Sequence, residues 1–239
     1  MRNLEHDKLK LRRHSDRLPR RLLRAVRRSV RRPVGAVMDR WAGIDTAREV
    51  RSVDLGLFSP DSHDYEASGR RTLKRVLSKG EMGPVDVFVD FGSGKGRVLL
   101  EAARYPFSRI IGVEFSEQLC AIARANVEAT KDSLTCREVE IVCADVLDYE
   151  VPDDVTVAFF YNPFKGETFA AVVDKLVTSL DRNPRRLRII YRTPFEHEYI
   201  ISTGRFHVIR SASSPRPTKK WRDSSSVRLY ESLAFYSGT

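Results

Sequence analysis

From residue 85 onward, apolar runs of strand length alternate with longer stretches of helical period, the pattern of a parallel sheet covered on both faces. Strands are predicted near 85–91, 109–115, 139–146, 155–162 and 186–193, with helices at about 96–105, 116–130 and 166–181 between them. After Arg192 the pattern changes. Two β-rich runs, 206–210 and 227–235, flank a loop rich in Pro, Ser and Lys with no helix between them, and read as an antiparallel pair closing the sheet edge. Seven strands result, five parallel and two in a C-terminal hairpin, an α/β fold with helices on both faces. The longest strongly apolar stretch, 155–164, has the length of a strand, well short of the roughly 18 residues needed to cross a bilayer, so no transmembrane segment is expected.

Ahead of this region the pattern is different in kind. Leu18, Leu22, Val26 and Val30 recur every four residues, with Leu23 beside them and arginines on the other faces, which predicts a basic amphipathic helix. Asp16 is a candidate N-cap and Pro33 a candidate stop. The formal net charge is +10, and it divides unevenly: residues 1–40 hold 14 Lys/Arg against 4 Asp/Glu, whereas the rest of the chain holds 28 of each. Two units follow, a basic N-terminal arm over 1–43 and a charge-balanced domain over 44–239. Such an arm either docks its apolar stripe on the domain or meets an anionic partner: nucleic acid, an acidic protein or a membrane surface. Glu5, Asp7 and Asp16 argue against a transit peptide, a class of segment poor in acids.

Hydrophobic residues make up 41% of the 239, enough for a real core. Cys120, Cys136 and Cys143 are odd in number and lack C-x-x-C spacing, and the five histidines include no H-x-x-x-H pair. Neither a disulfide framework nor a metal site is expected. A reducing cytoplasm, with the protein free or peripheral to a membrane, is the expected setting.

The chemistry-bearing signal begins where the first strand ends, at Val-Phe-Val-Asp90-Phe-Gly92-Ser93-Gly94-Lys95-Gly96-Arg97. Closely spaced glycines let backbone approach a ligand where a Cβ would clash, and the helix that follows opens with unpaired N–H groups. Nicotinamide and flavin folds use G-x-G-x-x-G, whereas this turn reads G-x-G-x-G behind an acid, and the Walker pattern is absent. An acid at Asp90 would repel a pyrophosphate but suits a cationic amino group. At the end of the second predicted strand Glu114 stands where a carboxylate accepts both hydroxyls of a ribose. At the end of the third, Asp145 is placed to accept from an adenine amino group while Val146 packs near the ring. All three acids fall at carboxyl ends of strands, the edge at which open α/β sheets bind ligands.

The fourth strand runs into Phe159-Phe160-Tyr161-Asn162-Pro163-Phe164. Together with the glycine turn and Glu114, this segment resembles the class I S-adenosylmethionine-dependent methyltransferases, which share a Rossmann-like seven-stranded sheet. The resemblance covers about 55–195. It implies S-adenosyl-L-methionine as cofactor, held by Asp90, Gly92, Ser93, Gly94, Gly96, Glu114, Asp145 and Val146, with the fourth-strand end beside the transferred methyl. Asn162-Pro163-Phe164 shares part of the N-P-P-[YF] motif of nitrogen-methylating enzymes. Upstream, Phe58-Ser59-Pro60 and Tyr65-Glu66-Ala67-Ser68 loosely resemble the cofactor-covering loop of the histone lysine methyltransferases that lack a SET domain, which adds Tyr65 to the cofactor set.

Methyl transfer by in-line displacement asks the protein chiefly for positioning, since a sulfonium is already an activated donor. Asn162 can accept from an amine or hydroxyl nucleophile, and Tyr161 and Phe164 can flank a cationic group with their π faces, core packing being the competing role for both rings. No histidine or paired carboxylate stands out as a general base. The expected activity is therefore transfer of a methyl group to nitrogen or oxygen of an unidentified polar acceptor. A nicotinamide oxidoreductase is disfavoured by the glycine spacing. A binding protein that keeps only the shell is disfavoured because every cofactor position carries a suitable residue.

Overall fold

The computed structural model describes residues 37, 39–47, 71–213 and 226–233. The amphipathic stripe at 18–30, Tyr65 and the loop around it lie outside the described residues. Seven strands form one sheet: β1 Val87–Phe91, β2 Arg109–Glu114, β3 Val139–Cys143, β4 Val155–Phe160, β5 Arg188–Arg192, β6 Phe206–Ala212 and β7 Val227–Ser232. Their order is β3-β2-β1-β4-β5-β7-β6. The first five pair in parallel, and β7 enters antiparallel between β5 and β6, so the chain reverses at the edge as the change of pattern after Arg192 predicts.

Helices α1 Arg97–Ala102, α2 Glu117–Thr130, α3 Gly166–Arg182 and α4 His197–Ser202 cover the two faces. Alternation along the strands sorts the side chains. Phe88, Ile110, Phe159 and Ile190 join Val98 and Leu99 of α1 and Cys120 and Ala123 of α2 in one core. Val87, Val89, Phe91, Ile111, Phe160 and Tyr191 join Phe169, Val172 and Leu176 of α3 and Ile200 of α4 in the other. β1 is buried at every position because it lies mid-sheet with helices on both sides. α4 has no counterpart in the sequence reading: its six residues are too few to establish a helical period, and Ile200 alone supplies a fully buried anchor.

Three predicted strand ends shift inward. Val85 is exposed, because Asp86 closes a turn on Gly83 (Asp86 N–H to Gly83 C=O, 3.0 Å; Gly83 N–H to Asp86 Oδ2, 2.8 Å) and β1 starts only at Val87. β3 stops at Cys143 and β4 at Phe160, which puts Asp145, Tyr161 and Asn162 in loops rather than strands. Among the described residues no helix is long and apolar enough to cross a membrane.

The boundary predicted between residues 43 and 44 cuts through a hydrogen-bonded unit. Gly43 and Ile44 donate to the carbonyls of Arg40 and Asp39 at 3.2 and 2.9 Å, and Ile44 packs against the first core. Residues 39–47 are thus a strap built onto the domain, not the tail of an arm.

Candidate active site

The chain leaves β1 through three left-handed glycines, with φ of 74° at Gly92, 55° at Gly94 and 79° at Gly96. That backbone is open to glycine and strained for other residues. Gly92 has a steric reason as well: a Cβ there would stand 2.4 Å from Pro163 Cβ. The turn is hung on β2, with the N–H groups of Gly92 and Ser93 donating to the Val113 carbonyl at 2.9 and 3.0 Å. Gly112 of β2 keeps the turn close as well: a Cβ on it would meet Ser93 Oγ at 2.8 Å and Leu99 Cδ1 at 2.5 Å, and those side chains would have to shift. Ser93 Oγ is buried without a hydrogen-bond partner among the described residues.

Two of the predicted acids converge on this turn. Asp90 is 3% exposed, and burial, reinforced by the charge of Glu114, pushes its carboxyl well above the ordinary carboxylate range. Burial also raises Glu114, against the opposing effect of the backbone N–H groups that donate to it. Glu114 Oε2 accepts from Gly94 N–H at 2.8 Å and Oε1 from Ser116 N–H at 3.0 Å, so this carboxylate ties the glycine turn to the start of α2. A carboxylate oxygen keeps further lone pairs after one such bond. Asp145 Oδ1 accepts from Leu147 N–H at 2.8 Å, a side-chain turn that ends β3, and Val146 packs partly buried against the second core. Two apolar side chains close to these acids in sequence face solvent: Phe115, 57% exposed, directly after Glu114, and Leu147, two residues after Asp145. Sequence reading passed over both, although an aromatic directly after a strand-end acid was a visible signal.

Past β4, Asn162 adopts φ 45°, a left-handed conformation that asparagine tolerates better than most residues. Its Oδ1 is buried and has no hydrogen-bond partner among the described residues. Pro163 lies over Gly92, so Asn162 is held against the glycine turn by the same contact that forbids a side chain there. Its two aromatic neighbours differ from expectation. Tyr161 carries the Arg192 guanidinium 4.1 Å from its ring centroid, because Arg192 follows directly in the neighbouring strand; that π face is taken by the protein's own cation. Phe164 is buried beside Phe160 and Phe169, with centroids at 6.2 and 6.4 Å, and packs in the core instead of lining a surface.

The strap supplies groups that sequence reading missed. Lys95, to which the sequence pattern assigned no role, is 1% exposed, and its Nζ lies 2.7 Å from Asp45 Oδ2. Asn126 of α2 joins strap and turn, donating from Nδ2 to the carbonyls of Asp45 and Lys95 at 3.0 and 2.9 Å. Its signal was legible: Leu119, Ala123 and Asn126 share the buried face of α2, and an amide on an apolar stripe needs a polar partner.

Residues 88–183 match a family model described as a methyltransferase domain. A protein-lysine N-methyltransferase of Saccharolobus islandicus (strain REY15A) is 26% identical over 97 residues, which is 40% of this chain and 58% of that relative. The chain therefore matches less than two thirds of the length of this curated relative. Among solved structures, the precorrin 8w decarboxylase of Methanobacterium thermoautotrophicum is similar at 18% identity and a TM-score of 0.49, over 70% of this chain and 91% of that one. An RNA methyltransferase of Salinibacter ruber, in complex with S-adenosyl-L-homocysteine, gives 20% identity and a TM-score of 0.44, over 70% and 94%. The matched segment runs from the glycine-turn strand through α3, so the part of the chain that carries the candidate site is the part that is similar to methyltransferase domains.

Proposed function

We propose that the chain transfers a methyl group from S-adenosyl-L-methionine to nitrogen or oxygen of a polar acceptor, with Asn162 orienting the nucleophile. The observation that carries this reading is the Asn162 amide oxygen: buried, without a partner among the described residues, and held against the glycine turn through Pro163 and Gly92. A buried acceptor left unmatched costs about 1–3 kcal/mol, so it suits a guest that brings an N–H or O–H.

The residues present fit the cofactor. Buried carboxyls at Asp90 and Glu114 whose charged forms are disfavoured by burial match a ligand with a cationic amino acid end. Glu114 retains lone pairs for the ribose hydroxyls, and Phe115, Val146 and Leu147 offer apolar surface for a base beside Asp145. The left-handed glycines let main chain approach without a Cβ. When bound, S-adenosylmethionine supplies a methyl group on a sulfonium sulfur. The chain's own part is to aim the nucleophile's lone pair along the displacement line, through a hydrogen bond to Asn162 Oδ1, and to exclude water. Tyr65, lying outside the described residues, remains in this reading as a covering residue on the strength of its motif alone.

The basic arm over residues 1–36 fits an anionic partner, nucleic acid, acidic protein or membrane surface, by its charge. A cytoplasmic setting belongs to the same reading, supported by three free thiols. Asn162→Ala tests the central assignment. Affinity for S-adenosylhomocysteine should stay within about threefold while the single-turnover rate falls by about 10²-fold or more, about 2.7 kcal/mol of transition-state stabilisation. An unchanged rate in a stable protein removes Asn162 from the transfer step.

A further inference from the structure

Residues 39–47 lie ahead of the family match and contain no recognised motif, yet they are bonded to the glycine turn at several points. Asp39 is buried, and its Oδ2 accepts from Thr46 N–H at 2.7 Å and Thr46 Oγ1 at 2.9 Å, closing the strap on itself. Arg97, the first residue of α1, donates from Nε to Thr46 Oγ1 at 3.0 Å. Asp45 is fixed by Asn126 in both directions, its N–H to Oδ1 at 2.8 Å and its carbonyl to Nδ2 at 3.0 Å. Backbone bonds thus set where the Asp45 side chain emerges. It emerges onto Lys95 Nζ at 2.7 Å.

Lys95 lies between Gly94, whose N–H is on the Glu114 carboxylate, and Gly96, which opens α1. A buried ammonium in this turn is costly without a nearby anion, and it opposes any cationic ligand the turn receives. Asp45 answers both needs, because a carboxylate at contact distance reduces the lysine's field from that of a charge to that of a short dipole. The carboxylate itself is half exposed, so solvent screens part of the effect and its size is modest. Hydrogen bonding alone would not require an acid here, since the strap is already docked by Asn126 on Asp45 and by Arg97, which bonds Thr46 and lies 3.5 Å from Asp39 Oδ2.

We propose that Asp45 is a positioning residue which neutralises Lys95 within the glycine turn and so lets the site accept a cationic sulfonium, an inference that rests on the cofactor reading above. S-adenosylmethionine and S-adenosylhomocysteine differ by one methyl group and one positive charge. The ratio of their affinities therefore reads the local field, whereas damage to the turn's shape weakens both alike.

The full-length chain and the variants Asp45→Asn, Lys95→Met and the double variant are titrated with each compound by calorimetry, with melting temperature as a check on folding. Asp45→Asn leaves an extra positive charge and should lower the ratio of S-adenosylmethionine to S-adenosylhomocysteine affinity about fivefold, or about 1 kcal/mol. Lys95→Met leaves an extra negative charge and should raise the ratio about threefold, and the double variant should return close to the parental ratio. Opposite shifts with cancellation are the signature of charge. Ratios that stay parental in both single variants, or that move in the same direction, overturn the proposal even when absolute affinities fall. If Asp45→Asn does not fold, Lys95→Met alone decides, an unmoved ratio again overturning it. A parental chain that binds neither compound refutes the cofactor reading and this inference with it, whereas parental binding with unmoved ratios refutes the inference alone.

Discussion

Gly92→Ala probes the contact on which the site's geometry depends. Two costs arise at that position. The first is conformational: at φ 74° an alanine sits in the left-handed region, at about 1–2 kcal/mol. The second is steric, because the new Cβ would stand 2.4 Å from Pro163 Cβ, more than 1 Å inside the roughly 3.5–4 Å at which carbon atoms pack. The proline ring has little freedom to yield, and its Cα is only 3.6 Å from the same point, so the Asn162–Pro163 segment must move as a unit. Overpacking of this kind costs about 1–3 kcal/mol, for a total near 2–5 kcal/mol. Gly204→Ala is the matched control: φ is 66°, but nothing lies within 4 Å of its would-be Cβ. Both substitutions also restrict the unfolded chain equally, so the difference between them isolates the clash with Pro163. Urea unfolding followed by circular dichroism, with slopes compared to confirm two-state behaviour, should place Gly92→Ala about 1–3 kcal/mol below Gly204→Ala. The same variant should lose most of its single-turnover transfer rate because Asn162 is displaced. Equal destabilisation by the two substitutions would show that Pro163 does not rest on Gly92, and the coupling of loop to turn would fall with it.

Three further outcomes follow from the same geometry. Glu114→Ala leaves Gly94 and Ser116 N–H groups without their acceptors, so it should lower melting temperature as well as weaken S-adenosylhomocysteine binding by roughly 2–4 kcal/mol; unchanged affinity by calorimetry would refute the role assigned to Glu114. Because Asp90 and Glu114 are raised by burial, the folded protein holds their protons more tightly than the unfolded chain; their contribution to stability is greatest below about pH 4 and declines as pH rises through the raised values, while affinity for the ammonium-bearing S-adenosylhomocysteine climbs over that window, and paired thermal melts and titrations that stay flat there would contradict the assignment. A chain beginning at residue 37 loses 13 Lys/Arg and 3 Asp/Glu yet keeps the strap, and should retain melting temperature and cofactor binding while salt-sensitive association with an anionic partner falls; a chain beginning at residue 48 removes the strap as well and should lose both stability and affinity, as thermal melts and calorimetry would register.

The sheet was legible in the chain because its signals are local. A run such as Val-Phe-Val-Asp-Phe ending in three spaced glycines specifies strand and turn within ten residues, and the change of pattern after Arg192 announced the antiparallel edge. Glu114 and Asp145 were placed by the same logic, since strand ends in an open parallel sheet share one edge whatever their partners.

What the linear pattern could not convey is which face of a side chain remains free once its neighbours arrive. Tyr161 and Phe164 read alike in sequence, yet one lies beneath Arg192 from the adjacent strand and the other is sealed in by Phe160 and Phe169. The strap is the clearest case. Asp45 and Lys95 stand fifty positions apart, and Asp45 and Asn126 eighty-one, with no periodicity linking them. The pairing of a half-exposed acid with a buried lysine exists only after α2 has packed beside the glycine turn, because desolvation, which makes that lysine require an anion, is a property of the folded interior and not of the chain.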